Sequence, residues 1–519
     1  MAVDVDAGAE RAARETSRET ITCTNPATGE VIDEIPAATA EEVDRAADRA
    51  GEAQDHWARL PARERAEYLL DAREAILDHR NELRDLLVEE AGQIDGLAEI
   101  LLTLDTLGYY ASEGPEMLAD EKLDLHLLKN KRVVVQHAPA GLVVNISPWN
   151  FPLDLSINPI IPALMAGNAA IIKPSEWTPL TAMRTVEIMN RAGLPEGLLQ
   201  VVPGYGQAGA QLVDHADAVS FTGSVSTGRQ VAVGAAENLV SCTLELGGKD
   251  PAIVLDDADV ERAANGVTWG AFFNSGQCCM SVERAFVHEA VYDEFVERVV
   301  RTTRDLRQGD PSARQVDVGA MTFPDQIETV ETHVQDAIAS GAEVLVGGER
   351  PDLKGDFFEP TVLVDVEPSM TIMTEETFGP VLPIMKVPSA AEAIRLSNES
   401  RFGLNSSIWS QNKPRARRLA RQIDAGNVCI NDVIASYTVV EAPYGGVKDS
   451  GLGRRKGRWE IDDYTEPKTI MEDLIGLSRE PFWYPYSEKV ASVVNSALEP
   501  LFRQGLTGKI RGLFSSNDD

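Results

Sequence analysis

Residues 169–193 read AAIIKPSEWTPLTAMRTVEIMNRAG. The opening four are apolar and suit a strand over 169–172. Thr178 then stands at an N-cap position, with Pro179 at the first helical position and Gly193 just past the end of a predicted helix over 178–191. The alternation continues outward on both sides. Apolar β-rich runs occur at 142–146 before this stretch and at 198–202 and 218–221 after it, with helical segments between them. Strand and helix alternating in this way predict βαβ units and a parallel sheet with both faces covered, which binds nucleotides at the carboxyl ends of its strands.

Further out the organisation changes twice. Toward the N-terminus, Thr39 and Glu42 form a capping box ahead of a helix that Pro61 interrupts, and residues 62–91 show helical apolar spacing. Residues 1–20 are an acidic arm. Toward the C-terminus a second alternation runs from Ala252 to Ile430 and predicts another α/β domain, with the boundary at the glycine pair Gly247–Gly248. The tail 473–519 holds six acids and five bases, the aromatic cluster Phe482, Trp483, Tyr484 and Tyr486, and an amphipathic stretch over 488–502. Docking on protein is the plain expectation for it, and a helix lying in a membrane interface the alternative.

The chain has 519 residues, enough for two or more domains. Its 82 acidic against 48 basic residues give a net charge of −34, which disfavours nucleic acid and matches the hydrated acidic surface of halophilic proteins. No apolar run is long enough to span a bilayer and no signal peptide is evident, so a cytoplasmic protein without a membrane partner is expected. Five dispersed cysteines make no disulfide framework, and none has zinc-ligand spacing, so no metal is expected.

Four segments could carry chemistry. Gly204-Tyr205-Gly206-Gln207-Ala208-Gly209 is a GxGxxG after a predicted strand, but that strand is the third of its sheet rather than the first. In Phe221-Thr222-Gly223-Ser224-Val225-Ser226-Thr227-Gly228 the two glycines bracket a strand-to-helix turn whose N–H groups could face a phosphate; a plain N-cap is the competing explanation. Glu245, in Glu245-Leu246-Gly247-Gly248-Lys249, is a carboxylate on an apolar strand. Burial would raise its pKa toward that of a general base, unless it serves a structural salt bridge. Asn274-Ser275-Gly276-Gln277-Cys278-Cys279 offers a thiol whose pKa a helix N-terminus or polar loop would lower; an inert buried cysteine is the alternative.

Taken with Pro148-Trp149-Asn150-Phe151-Pro152, Lys173-Pro174-Ser175-Glu176, Glu376-Thr377-Phe378-Gly379-Pro380 and Pro443-Tyr444-Gly445-Gly446, these segments identify the chain as resembling the aldehyde dehydrogenase superfamily from about Thr22 to Met471. The resemblance implies an α/β fold with a Rossmann-type cofactor domain (21–122 and 145–247), an α/β catalytic domain (248–460) and a small β oligomerisation domain (123–144 and 461–472), with 473–519 as an extension. It implies oxidation of an aldehyde to the carboxylic acid with NAD and water. Cys279 would be the nucleophile, forming a thiohemiacetal and then a thioester, with Asn150 holding the oxyanion and Glu245 activating water. Members that acylate coenzyme A usually lack that glutamate, and a non-enzymatic relative on the same fold is the remaining alternative.

The resemblance also assigns cofactor contacts. Lys173 and Glu176 would hold the adenine ribose, Gly223, Ser224 and Gly228 the pyrophosphate, Glu376 and Phe378 the nicotinamide ribose, with Trp149 beside them and Gly206 near the adenine end. A carboxylate at Glu176 favours the ribose 2′-OH of NAD over the 2′-phosphate of NADP. A homodimer or homotetramer is implied. Part of the chain is similar to succinic semialdehyde dehydrogenases. Yet Asn158 and Phe273 stand where those members carry carboxylate-binding arginines, so an uncharged aldehyde is expected at least equally.

Overall fold

The computed structural model describes residues 19–313, 315–480 and 482–502. The acidic arm lies outside them save for its last two residues. The described chain forms two units: one takes it up to Ala119 and His137–Lys468, the other Asp120–Gln136 and the chain from Thr469.

In the larger unit, one sheet has six strands in the order Gly451–Leu452, Ser241–Glu245, Ala218–Thr222, Leu142–Ile146, Ala169–Lys173, Leu199–Val201. Gly451–Leu452 is antiparallel to its neighbour and the rest are parallel. Counted along the chain, the parallel strands lie in the order 3-2-1-4-5, a doubly wound arrangement whose direction switches between Leu142–Ile146 and Ala218–Thr222. Every residue of Ala169–Lys173 and Ala218–Thr222 is buried, as a sheet covered by helices on both faces requires.

The second sheet has seven strands, ordered Glu343–Val346, Thr361–Val364, Val381–Val387, Val282–His288, Asp250–Val254, Ser407–Trp409, Cys429–Ile430, with only the first pair antiparallel. The chain passes from one sheet to the other between Glu245 and Asp250, across Gly247 and Gly248. It also returns: Gly451 pairs with Glu245, so the segment 248–460 does not belong to the second sheet alone.

Several local expectations are corrected. The helical stretch 62–91 divides into Ala62–Asp78 and Arg80–Ala91. His79 leaves helical dihedrals, and each shorter helix turns its own stripe (Leu69, Ala72 and Ile76; Leu83 and Leu87) into one core. Thr178 occupies the N-cap, but its hydroxyl donates to the Trp149 carbonyl (3.2 Å), and the first-turn N–H groups of Leu180 and Thr181 go to the buried Glu90 carboxylate instead. The small β domain expected over 123–144 and 461–472 is narrower in the structure at both places. Leu142, Val143 and Val144 are buried in the six-stranded sheet because they are apolar on both faces. Ile461 lies in the core on the helix Gly457–Asp463, ahead of the strand Thr465–Asp473.

Three strands, Thr465–Asp473, Lys131–Pro139 and Glu121–Leu123, form a separate sheet in that order. Lys131 pairs with Asp473 (2.8 Å) and Glu480. The amphipathic stretch of the tail is a helix, Glu488–Phe502, and Phe482, Trp483, Tyr484 and Tyr486 are exposed. Among the described residues, no helix is long and apolar enough to cross a membrane.

Candidate active site

In a doubly wound sheet the crevice for a ligand opens beyond the carboxyl ends of the strands at the switch point. Here the residues following those two strands are Pro148, Trp149 and Asn150 on one side and Gly223 and Ser224 on the other. They line one cavity of about 300 Å³ together with Glu245 and Cys279. The GxGxxG turn follows Leu199–Val201, the strand at the sheet's edge. That explains why Gly206, which opens the helix Gly206–His215, is not on this cavity wall.

Cys279 reaches the cavity from a tight turn. Asn274, Ser275 and Gly276 all take positive φ (49°, 58° and 74°), and a Cβ at Gly276 would lie 2.1 Å from the Gly379 carbonyl oxygen. Only glycine fits there. The turn reverses the chain between the helix Val260–Phe272 and the strand Val282–His288, leaving Cys278 buried and Cys279 half-buried. The expectation of a lowered thiol pKa is corrected. Contact with the Cys278 thiol and burial push Cys279 well up, and the nearby Asp250 and Glu245 carboxylates add to it. No cation or helix N-terminus offsets them among these causes, so the surroundings favour the thiol over the thiolate.

Asn150 is buried, and its Nδ2 donates to the Gln277 carbonyl (3.0 Å), two residues before Cys279. Its own carbonyl accepts from Gln93 Nε2 (3.1 Å) and Asn274 Nδ2 (2.9 Å). Gln93 also donates to Glu99, whose carboxylate accepts the N–H groups of Leu153 (2.9 Å) and Asp154 (2.7 Å). The side-chain amide is thus held through Nδ2 and the residue's backbone through its carbonyl, with the second Nδ2 hydrogen unassigned.

Glu245 ends its strand beneath the cavity, 4% exposed, and neither carboxylate oxygen has a hydrogen-bond partner. Burial raises its pKa to about 8; Arg455 and Arg454 oppose the rise, Glu460 reinforces it and Lys456 opposes it. A buried carboxyl without protein partners is poised to exchange a proton with water or substrate.

The cofactor candidates fall into two groups. Trp149, Gly223, Ser224, Glu376 and Phe378 lie on the cavity wall with the catalytic candidates. Lys173, Glu176, Gly206 and Gly228 do not. Lys173 and Glu176 pair at the end of the strand Ala169–Lys173 (3.3 Å). Ser224 caps the helix Val225–Glu237, accepting from Thr227 N–H. A Cβ at Gly228 would lie 2.5 Å from Leu246, so that glycine lets helix and strand pack closely. Glu376 accepts from Gly248 N–H (2.9 Å), and burial, then Glu283, raises its pKa to about 8. Phe378 sets its ring edge-on to Trp149 (5.5 Å between centroids). A dinucleotide fits this wall: the Thr222 hydroxyl beside it is buried without a partner, and a capped helix N-terminus faces the same crevice. Glu283 and Glu99 carry no local signal, since each acquires its place through a distant segment, whereas Thr222 stands inside the glycine turn already singled out.

A second cavity, of about 480 Å³, is lined by Phe151, Trp269, Phe272, Phe273 and Asn274 among others. Phe151 and Phe273 stack at 5.9 Å, and Trp269 lies 4.9 Å from Phe273. Phe151 and Phe273 also pack with Cys279 against one core.

A half-buried thiol, a buried amide and an unpartnered carboxylate thus share one cavity at the switch point of a dinucleotide-type sheet. Residues 13–470 match the model of the aldehyde dehydrogenase family, and the chain belongs to that family. It is 39% identical over 476 residues (90% of this chain, 88% of the relative) to a 4,4′-diapolycopene aldehyde oxidase of Methylomonas sp. It is 40% identical over 459 residues (88% and 89%) to a putative succinate-semialdehyde dehydrogenase of Mycolicibacterium smegmatis with NADP(+) in its name. The structure of a Bacillus cereus aldehyde dehydrogenase in complex with NAD+ superposes with a TM-score of 0.85 at 34% identity, covering 91% of this chain and all of that one. The protein is an NAD(P)-dependent aldehyde dehydrogenase that oxidises an aldehyde to the acid.

Proposed function

We propose that Cys279 is the nucleophile, Asn150 the oxyanion donor and Glu245 the base. The observation that carries this is one cavity wall holding all three, with the carboxylate unpartnered. Cys279 Sγ adds to the aldehyde carbon as its proton passes to water in the cleft, and the carbonyl oxygen becomes an oxyanion. The free Asn150 N–H and the Cys279 backbone N–H stabilise that oxygen, a donor of this kind contributing about 2.7–4 kcal/mol. Bound NAD(P)+ supplies the hydride acceptor that oxidation requires, held by Trp149, Ser224, Glu376 and Phe378. Glu245, ionised, then takes a proton from water, which attacks the Cys279 thioester and releases the acid and the thiol.

An uncharged apolar aldehyde is the substrate we infer, with NAD as the preferred cofactor. The aromatic cavity, two of whose rings pack with Cys279 against one core, supports the first. Asn158 donates to Asp154 and so presents no cation to a substrate carboxylate. Glu176 supports the second: a ribose 2′-OH can donate to its carboxylate, whereas a 2′-phosphate is repelled. Initial rates with decanal, benzaldehyde and succinic semialdehyde are expected to favour the apolar pair by about tenfold or more in kcat/KM, equivalent to ~1.4 kcal/mol. NAD is expected to exceed NADP on the same measure. Higher kcat/KM for succinic semialdehyde, or for NADP, overturns the respective half. A requirement for coenzyme A in the same assay would overturn water as the acyl acceptor.

The strand Thr465–Asp473 lies at the edge of its sheet and is exposed along nearly its whole length, an edge suited to pairing with another copy. We therefore propose a homodimer or homotetramer; sedimentation at high salt should give at least twice the monomer mass, and a monomer would contradict it. Five free cysteines suit a reducing compartment, and we place the enzyme in the cytoplasm, where cell fractionation should recover it.

A further inference from the structure

Two fully buried charged side chains lie behind the cavity and take no part in the chemistry proposed above. Lys249 and Glu283 are 1% and 2% exposed and pair at 2.6 Å. Lys249 follows the Gly247–Gly248 link, and Glu283 is the second residue of the strand Val282–His288. A pair this deep is weak evidence for stability, because desolvating both ions offsets their attraction and an apolar pair of similar volume is often as stable. Its remaining hydrogen bonds show what it holds. Glu283 accepts the backbone N–H of Thr377 (2.7 Å) and of Phe378 (2.8 Å), while Lys249 also donates to the Thr377 hydroxyl (3.2 Å).

The segment so held is under strain. Phe378 has φ +51°, a left-handed conformation that is costly for a bulky residue and persists only when its surroundings impose it. That conformation sets the Phe378 ring against Trp149 and leaves the Glu376 carboxylate beside the Gly247–Gly248 backbone, where a Cβ at Gly247 would lie 2.2 Å from it. We propose that Glu283, with Lys249 as its counter-ion, is a positioning residue that holds Glu376 and Phe378 in place for the nicotinamide half of the cofactor. The proposal rests on the assignment of those two residues to cofactor binding. Glu283 acts through the 377–378 backbone and reaches neither substrate nor thiol.

The test uses the full-length protein and the variants Glu283→Gln, Lys249→Met, and both together. The double variant removes both charges at once, which guards against an unpaired buried ion preventing folding. Three quantities are read: the thermal midpoint, NADH affinity by nucleotide fluorescence, and cleavage of p-nitrophenyl acetate without cofactor, which needs the thiol and oxyanion donors but no hydride acceptor. The double variant is expected to melt close to the parent, to bind NADH about tenfold more weakly, and to keep its ester cleavage within about twofold. Unchanged NADH affinity in the folded double variant overturns the proposal. So does a parallel fall of ester cleavage and NADH affinity, which would mark general disorder of the site. Phe378→Ala separates the layers: weaker NADH binding there with no change in the double variant refutes the clamp alone, whereas no effect at Phe378 refutes the underlying cofactor assignment as well.

Discussion

Cys279→Ala is expected to lower aldehyde turnover by about four orders of magnitude or more while NADH still binds, as fluorescence titration would show. The cavity retains its nucleotide wall in that variant, because Trp149, Ser224, Glu376 and Phe378 belong to other loops. Cys278→Ala is the matched control. Cys278 is buried against the catalytic-domain core and does not line the cavity, so its loss should cost some stability and little rate. The reverse pattern would mean that the neighbouring sulfur attacks.

Glu245→Gln is expected to separate oxidation from hydrolysis. A first burst of NADH, about one per site, should survive, and the acyl-enzyme should then accumulate, since glutamine cannot take a proton from water. Loss of the burst as well would contradict the assignment of this carboxylate to hydrolysis. The pH dependence follows from the same environment. With its pKa raised to about 8, the parent's hydrolytic step should quicken as pH climbs through that value, and the slow residual rate of the variant should lack this inflection. Stability moves the other way. A carboxyl held at about 8 when folded and at 4.5 when unfolded binds its proton more tightly in the fold, so its contribution is full below 4.5 and is lost as pH rises through 8. The glutamine variant should therefore melt higher than the parent at alkaline pH.

The proposed chemistry also explains why the thiol's raised pKa is tolerable. Cys279 sits among Cys278, Asp250 and Glu245, and a thiolate there would be repelled. The proton can leave as the sulfur bonds to carbon, when negative charge passes to an oxygen facing N–H donors. The fixed donors then act on the charge that develops during reaction and hardly at all on the resting enzyme.

Much of the architecture was legible without coordinates. Apolar runs at 142–146, 169–172 and 218–221 became strands within one residue, and the capping box at Thr39 and Glu42 closed as its spacing implied. These features depend on periodicity and on hydrogen bonds spanning three residues, which neighbours along the chain settle among themselves. The helix break at His79 and the Glu90 cap on the helix Pro179–Arg191 were not legible, because each answers to a packing partner elsewhere.

The motifs around Asn150, Glu245, Cys279 and Glu376 were likewise readable as segments. The amino-acid sequence by itself determined the alternation of strand and helix, the family and the residue types offered for chemistry, since each is written in short stretches of the chain. Tertiary structure alone decided that the switch point, and not the more familiar glycine-rich turn, faces the thiol; that Cys279 sits among carboxylates that raise its pKa; and that Glu283 and Lys249 hold the 377–378 backbone. These depend on strand order and on contacts between segments as distant along the chain as Trp149 and Phe378, which exist only once the two sheets have packed.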